Sequence, residues 1–183
     1  MAYEFAYMNA MDALLHKAAE TNQEKIRKLS EKMAENVMQD KIIHTFGTGH
    51  SHMIGIELFG RAGGLGNVDA ILDPDVLTSN GAQRSCALEK LSGLADLIYD
   101  NYHIEKGDMM IISSNSGRNA MPIEMAMRCQ KEGVYVVAVT SLQASKAAPS
   151  RHAKSLQRRN FAVSTGVGSS IHRSAGTMKE CRA

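Results

Sequence analysis

Four short, nearly all-apolar runs in the middle of this chain constrain its fold more than any other feature. They are Lys41-Ile-Ile-His-Thr-Phe46, Val68-Asp-Ala-Ile-Leu72, Met109-Met-Ile-Ile-Ser113 and Val134 to Thr140. Each is too short for a helix and too uniformly apolar for a strand with one wet face, so each reads as a strand buried on both sides. Between them the hydrophobic period changes to that of a helix. Ile54, Leu58 and Ala62 share a face over 51–62, Leu88, Leu91, Leu94, Ala95 and Ile98 share one over 84–102, and a helix from Pro122 runs to Glu132, where Gly133 stops it. Strands alternating with helices mean an α/β fold, a three-layer sandwich with a central parallel sheet.

The first forty residues read as a helical pair packing on this domain. Tyr7, Met11, Leu14, Leu15 and Ala18 recur at helical spacing. Thr21-Asn-Gln-Glu24 has the form of a capping box that would start a second helix, carried on by Ile26, Leu29, Met33 and Val37.

Composition narrows the class. The chain has 183 residues, 44% hydrophobic and 22% charged, an ordinary globular mixture for one domain. No apolar run approaches the ~18 residues of a membrane span, and the first residues lack the basic and apolar regions of a secretory signal. The three cysteines form no metal or redox spacing, which suits reduced thiols in a cytoplasm. Trp is absent and aromatics are 5%, which argues against nucleic acid as a partner.

Chemistry is expected at the carboxyl ends of the strands, where open parallel sheets bind ligands. Two loops of unusual composition fall there, each leading into a helix. One is Gly47-Thr48-Gly49-His50-Ser51 and the other is Ser114-Asn115-Ser116-Gly117-Arg118-Asn119. Helix N-termini supply free N–H groups and partial positive charge, glycine allows close backbone approach, and hydroxyls add donors. A hydrogen bond to a charged group contributes about 1.5–3 kcal/mol, so three or four hold a phosphomonoester without a metal. A nucleotide P-loop is excluded because no Lys follows Gly49. The dinucleotide pattern is matched by Gly47 and Gly49 but has His52 in its third glycine position; Asp69 or Asp73 keeps it as an alternative, although it leaves the Ser-rich second loop unexplained.

These paired loops resemble the sugar isomerase (SIS) domain. The stretch Gly47–Ser141, with Asn80-Gly-Ala-Gln-Arg-Ser85, resembles an uncharacterised SIS subfamily of sugar-phosphate isomerases, and the likeness covers roughly residues 1–152. The resemblance implies a flavodoxin-like five-stranded parallel sheet at 41–141 and beyond, in a homodimer. It also implies a small-molecule sugar phosphate as partner. Its phosphate would sit on Ser114, Asn115, Ser116, Gly117 and Asn119, its sugar would face Gly47, Thr48, Gly49 and Ser51, and Ser141 would line the same crevice. Phosphoheptose isomerases of this superfamily carry a metal-binding His and Glu on the helix after the first loop. The matching places hold Glu57 and Arg61, so neither a metal nor a cofactor is carried over.

Aldose–ketose isomerisation needs a base near C2 while the phosphate is clamped far away. Candidates are His50 and Glu57, with His152 from a partner subunit; His52 and Glu124 also lie beside the loops, whereas His44 falls inside a strand and reads as a core or interface residue. Two other functions remain open: a lyase or etherase on an amino-sugar phosphate, and a non-catalytic module that senses a sugar phosphate.

The grammar fails after Thr140. Residues 1–140 hold 13 Lys/Arg against 18 Asp/Glu, whereas residues 141–183 hold 8 against one. Residues 142–183 read as a poorly ordered basic tail, and Phe161-Ala-Val163 looks too short for a strand. The expectation is a truncated or frame-shifted C-terminus that leaves the fourth strand as an exposed apolar edge.

Overall fold

A computed structural model describes residues 5–147 and 161–164. It opens with one helix, α1 (Ala6–Met38), of 33 residues rather than the expected pair. No Gly or Pro interrupts it, so nothing stops propagation through the supposed cap. Asn22 is buried within it and its side-chain amide donates to the Ala18 carbonyl at 2.7 Å, while Glu24 pairs with Arg27. At ~1.5 Å per residue α1 is about 50 Å long.

The sheet contains β1 (Ile43–Gly47), β2 (Val68–Ile71), β3 (Met109–Ser113), β4 (Tyr135–Thr140) and β5 (Phe161–Ser164), all parallel, in the order β2-β1-β3-β4-β5. The helices between are α2 (Met53–Leu58), α3 (Ala82–Leu88), α4 (Leu94–Asp100), α5 (Ala120–Lys131) and α6 (Leu142–Ala147). On one face of the sheet, Ile43, Met109, Ile111 and Val137 pack against Leu29, Met33 and Val37 of α1. On the other, Phe46, Met110, Ile112 and Val136 pack against Ala95 and Ile98 of α4 and Met121, Met125 and Ala126 of α5. With few aromatics available, methionine fills much of this interior.

Two further expectations change, and the structure sets the direction of a face that the spacing left open. The single helix over 84–102 is two helices, because Gly93 turns left-handed at φ 90 between them. Glu124 of α5 stabilises that break, accepting from the Gly93 N–H at 2.8 Å and from the Ser92 hydroxyl. The apolar face of the helix after β1 points outward: Ile54 and Leu58 are exposed, and α2 instead lays Gly55 against Thr45 and Ala70. A fifth strand is present, with Val137 to Thr140 of β4 paired in register with Phe161 to Ser164. Phe-Ala-Val has strong strand propensity, and pairing satisfies backbone groups that the edge of β4 would otherwise leave open.

His44 is a core residue, 1% exposed. Its two ring nitrogens lie 3.1 Å from Asp69 Oδ2 and 3.1 Å from Asp108 Oδ2. Asp108 also accepts from the backbone N–H groups of Ile42 and Glu105, so this buried carboxylate is fully bonded.

Candidate functional site

The strand order places both polar loops together. A sheet ordered 2-1-3-4-5 reverses its winding between its first and third strands, and the two connections leave on opposite sides there, opening a crevice. β1 and β3 are hydrogen-bonded neighbours, and Gly47 pairs in register with Ser113. The loops that follow these residues therefore start one strand spacing apart, about 4.8 Å.

The first loop is built on close backbone packing. A Cβ on Gly47 would stand 2.6 Å from the Ser51 carbonyl carbon and 2.8 Å from the His52 nitrogen, so only glycine fits. Gly49 is left-handed at φ 56, and its N–H donates to the Val76 carbonyl at 2.9 Å. Gly49–His52 form a single 3-10 turn before α2. Thr48 is buried; Ser51 is half-buried; His50 is exposed. Glu57 lies on the exposed side of α2 in an ion pair with Arg61.

In the second loop, the Ser114 hydroxyl accepts the Gly117 N–H at 3.2 Å, and Gly117 is left-handed at φ 59. Asn119 precedes the twelve-residue helix α5 in extended conformation, in N-cap position. Ser116 is half-buried and Asn115 exposed. The next loop is tied to this one: the Asn115 carbonyl accepts the Ser141 N–H at 2.9 Å and the Thr140 hydroxyl at 3.2 Å. The Ser141 hydroxyl accepts from the Ala144 N–H, which caps α6. His152 lies outside the described residues.

The structure adds a residue that nothing in the sequence singles out. Glu89 follows α3, and its Oε2 accepts a hydrogen bond from the buried Thr48 hydroxyl at 2.9 Å. Its backbone carbonyl accepts the Met121 N–H in the first turn of α5, at 3.2 Å. Glu89 therefore touches the first loop with its side chain and the helix after the second loop with its backbone. In sequence, Leu88-Glu-Lys-Leu is indistinguishable from any solvated helix end.

Among the described residues no group of three or more His, Cys, Asp or Glu is placed to hold a metal ion. No described helix is long and apolar enough to cross a membrane.

Comparison with known proteins agrees with this fold. A UPF0309 protein of Caldanaerobacter subterraneus is 39% identical over 147 residues, covering 80% of this chain and 60% of the relative. A UPF0309 protein of Listeria innocua is 36% identical over 146 residues, covering 80% and 59%. The chain thus spans about 60% of the length of the curated relatives it matches. Among solved structures, a phosphoheptose isomerase from Francisella tularensis superposes with TM-score 0.63 at 13% identity, covering 92% of this chain and 88% of that one. A phosphoheptose isomerase from Neisseria gonorrhoeae gives 0.59 at 20% identity, covering 87% and 83%. These two likenesses speak for the fold. The model of the SIS domain matches residues 6–141, most of the chain, and with the relatives above it shows that this protein belongs to the SIS domain family.

Proposed function

We propose that the crevice between β1 and β3 binds a phosphorylated sugar and that the protein is an aldose–ketose sugar-phosphate isomerase. The observation that carries this reading is the register pairing of Gly47 with Ser113, which starts both hydroxyl-rich loops side by side at the switch point of the sheet. The phosphate sits on Ser114, Asn115, Ser116, Gly117 and Asn119, at the N-terminus of α5, where free N–H groups and the helix dipole favour an anion. Thr48, Gly49 and Ser51 face the sugar, with Ser141 at the edge of the crevice. Binding the remote phosphate supplies the energy that positions C1 and C2.

We also propose a homodimer in the cytoplasm. α2 buries its one glycine and exposes Met53, Ile54, Ile56 and Leu58, followed by exposed Phe59 and Leu65. Leu65 in turn lines a groove with Met33, Val37 and Met38 of α1. Such a contiguous exposed apolar patch is the kind of surface that a second protein chain covers.

A thermal-shift screen against glucose 6-phosphate, ribose 5-phosphate and sedoheptulose 7-phosphate tests the binding. A sugar phosphate at a hundred times its Kd adds about 2.7 kcal/mol of stability. Loss of that gain in Ser116→Ala supports the assignment of the phosphate. No shift with any of the three, against a clear shift with a nicotinamide dinucleotide, would replace this reading with dinucleotide binding.

A further inference from the structure

From the crevice geometry we infer that Glu89 is the carboxylate that moves the proton between C2 and C1 of the bound sugar. The inference rests on the sugar-phosphate reading above. A base for this step must lie close to the sugar and away from the phosphate, because a carboxylate beside a phosphate dianion meets like-charge repulsion. Glu89 directs its carboxylate to the first loop, while its backbone carbonyl bonds the Met121 N–H in the first turn of α5. Its side chain is bonded to Thr48 of the loop assigned to the sugar, not to the loop assigned to the phosphate.

The other acids near the loops are committed elsewhere. Glu57 pairs with Arg61 on an exposed helix face. Glu124 holds the Ser92 hydroxyl and the Gly93 N–H at the start of α4. Glu89 joins no ion pair among the described residues; its one side-chain partner there is a hydroxyl that orients it. It is half-buried, and its backbone bond to Met121 fixes its place between the two loops. A carboxylate held by one neutral donor is a better proton acceptor than one held by a cation, because the cation stabilises the charged form.

The step balances without an oxidant or a metal. Glu89 takes the proton from C2 of the open-chain aldose. The C2–H electron pair becomes the C1=C2 bond, and the carbonyl π pair goes to O1, which takes a proton from solvent. The enediol then loses the O2 proton to solvent as the C2=O2 bond forms, and C1 receives the proton from Glu89. One C–H bond breaks, one forms, and the net change is a carbonyl shifted by one carbon.

The test uses the full chain and the sugar phosphate giving the largest melting shift among the three above. Loss of the proton at C2 of an aldose phosphate, or of one proton at C1 of a ketose phosphate, is followed by proton NMR in deuterated water. Wild type is expected to exchange that proton, and Glu89→Gln is expected to keep the melting shift while losing exchange about 10²–10⁴-fold, the usual contribution of general base catalysis. Formate added to Glu89→Ala is expected to restore part of the exchange, which a purely structural role would not allow. Glu124→Gln serves as the control and is expected to exchange at the wild-type rate.

A second measurement needs no variant. Carbodiimide coupling of wild type, read by peptide mass spectrometry, is expected to label Glu89 less when the sugar phosphate is bound, with Glu124 labelled equally in both states. Binding with no exchange in wild type, wild-type exchange in Glu89→Gln, or unprotected labelling of Glu89 would each overturn the inference while leaving the binding site intact. Absence of any melting shift in wild type would remove the sugar-phosphate reading and this inference with it.

Discussion

Gly47 is the residue on which the first loop turns, and its role is steric. Any Cβ there would strike backbone atoms of Ser51 and His52, and backbone cannot swing aside as a side-chain end can. Gly47→Ala is expected to cost about 1–3 kcal/mol, the usual range for overpacking, and to remove the ligand-induced melting shift. A variant that melts and binds as wild type would contradict the packing described. Cys129 supplies a second residue-scale prediction. Burial in the core pushes its thiol up to about 12, because the thiolate loses its hydration there. At pH 8 Cys129 is thus a thiol and sterically closed, so iodoacetamide is expected to leave it unmodified in the native protein while half-buried Cys86 reacts. Peptide mass spectrometry reads both sites, and labelling of Cys129 at the rate of Cys86 would refute this. The two polar loops were legible in the sequence as strand-to-helix connections, because glycine and hydroxyl residues follow each apolar run directly. Glu89 was not, since its meaning comes from a contact 41 positions away that no local pattern encodes.

At the scale of elements, every strand that the apolar runs announced is found, within a residue or two of its ends. Helices were harder, for identifiable reasons. The capping box at Thr21–Glu24 is a real local preference, but with no breaker nearby the propagating helix overrides it. Gly93 interrupts a period that Leu88, Leu91 and Leu94 otherwise maintain, and periodicity alone does not register a backbone angle. The break depends on Glu124 reaching across from α5 to the start of α4. Glu124→Ala is expected to destabilise the protein by about 0.5–2 kcal/mol, the range for a lost helix cap, with no effect on sugar-phosphate affinity. Chemical denaturation measures the first and titration calorimetry the second; unchanged stability would show that α4 does not need this contact. Helix α2 is the informative case of an amphipathic pattern whose apolar face turns away from the sheet. A short helix whose only buried residue is glycine approaches the sheet closely and leaves its large side chains for another surface.

For the molecule as a whole, the parallel α/β architecture followed from strand composition, but the order of the strands did not. The observed order, β2-β1-β3-β4-β5, makes β1 and β3 neighbours and so starts the two loops side by side. The fifth strand was missed because its four residues sit in a segment whose basic composition masks them, and its place is set by the open edge of β4 rather than by its own sequence. The exposed apolar surface of α2 and the end of α1 belongs to this scale too. Sedimentation velocity is expected to show a dimer for wild type and a monomer for Ile56→Glu, since a charge at the centre of a buried patch is not tolerated. A wild-type monomer would assign that surface to some other occupant.

The central claim, that loops after β1 and β3 hold one ligand, is tested most directly by titration calorimetry of a single sugar phosphate against wild type, Ser51→Ala and Ser116→Ala. The account predicts that each variant loses at least about tenfold in affinity, as expected for one charge-assisted or sugar-hydroxyl hydrogen bond removed from either side of the crevice. Wild-type affinity in either variant would mean that only one loop touches the ligand, and the claim would fail.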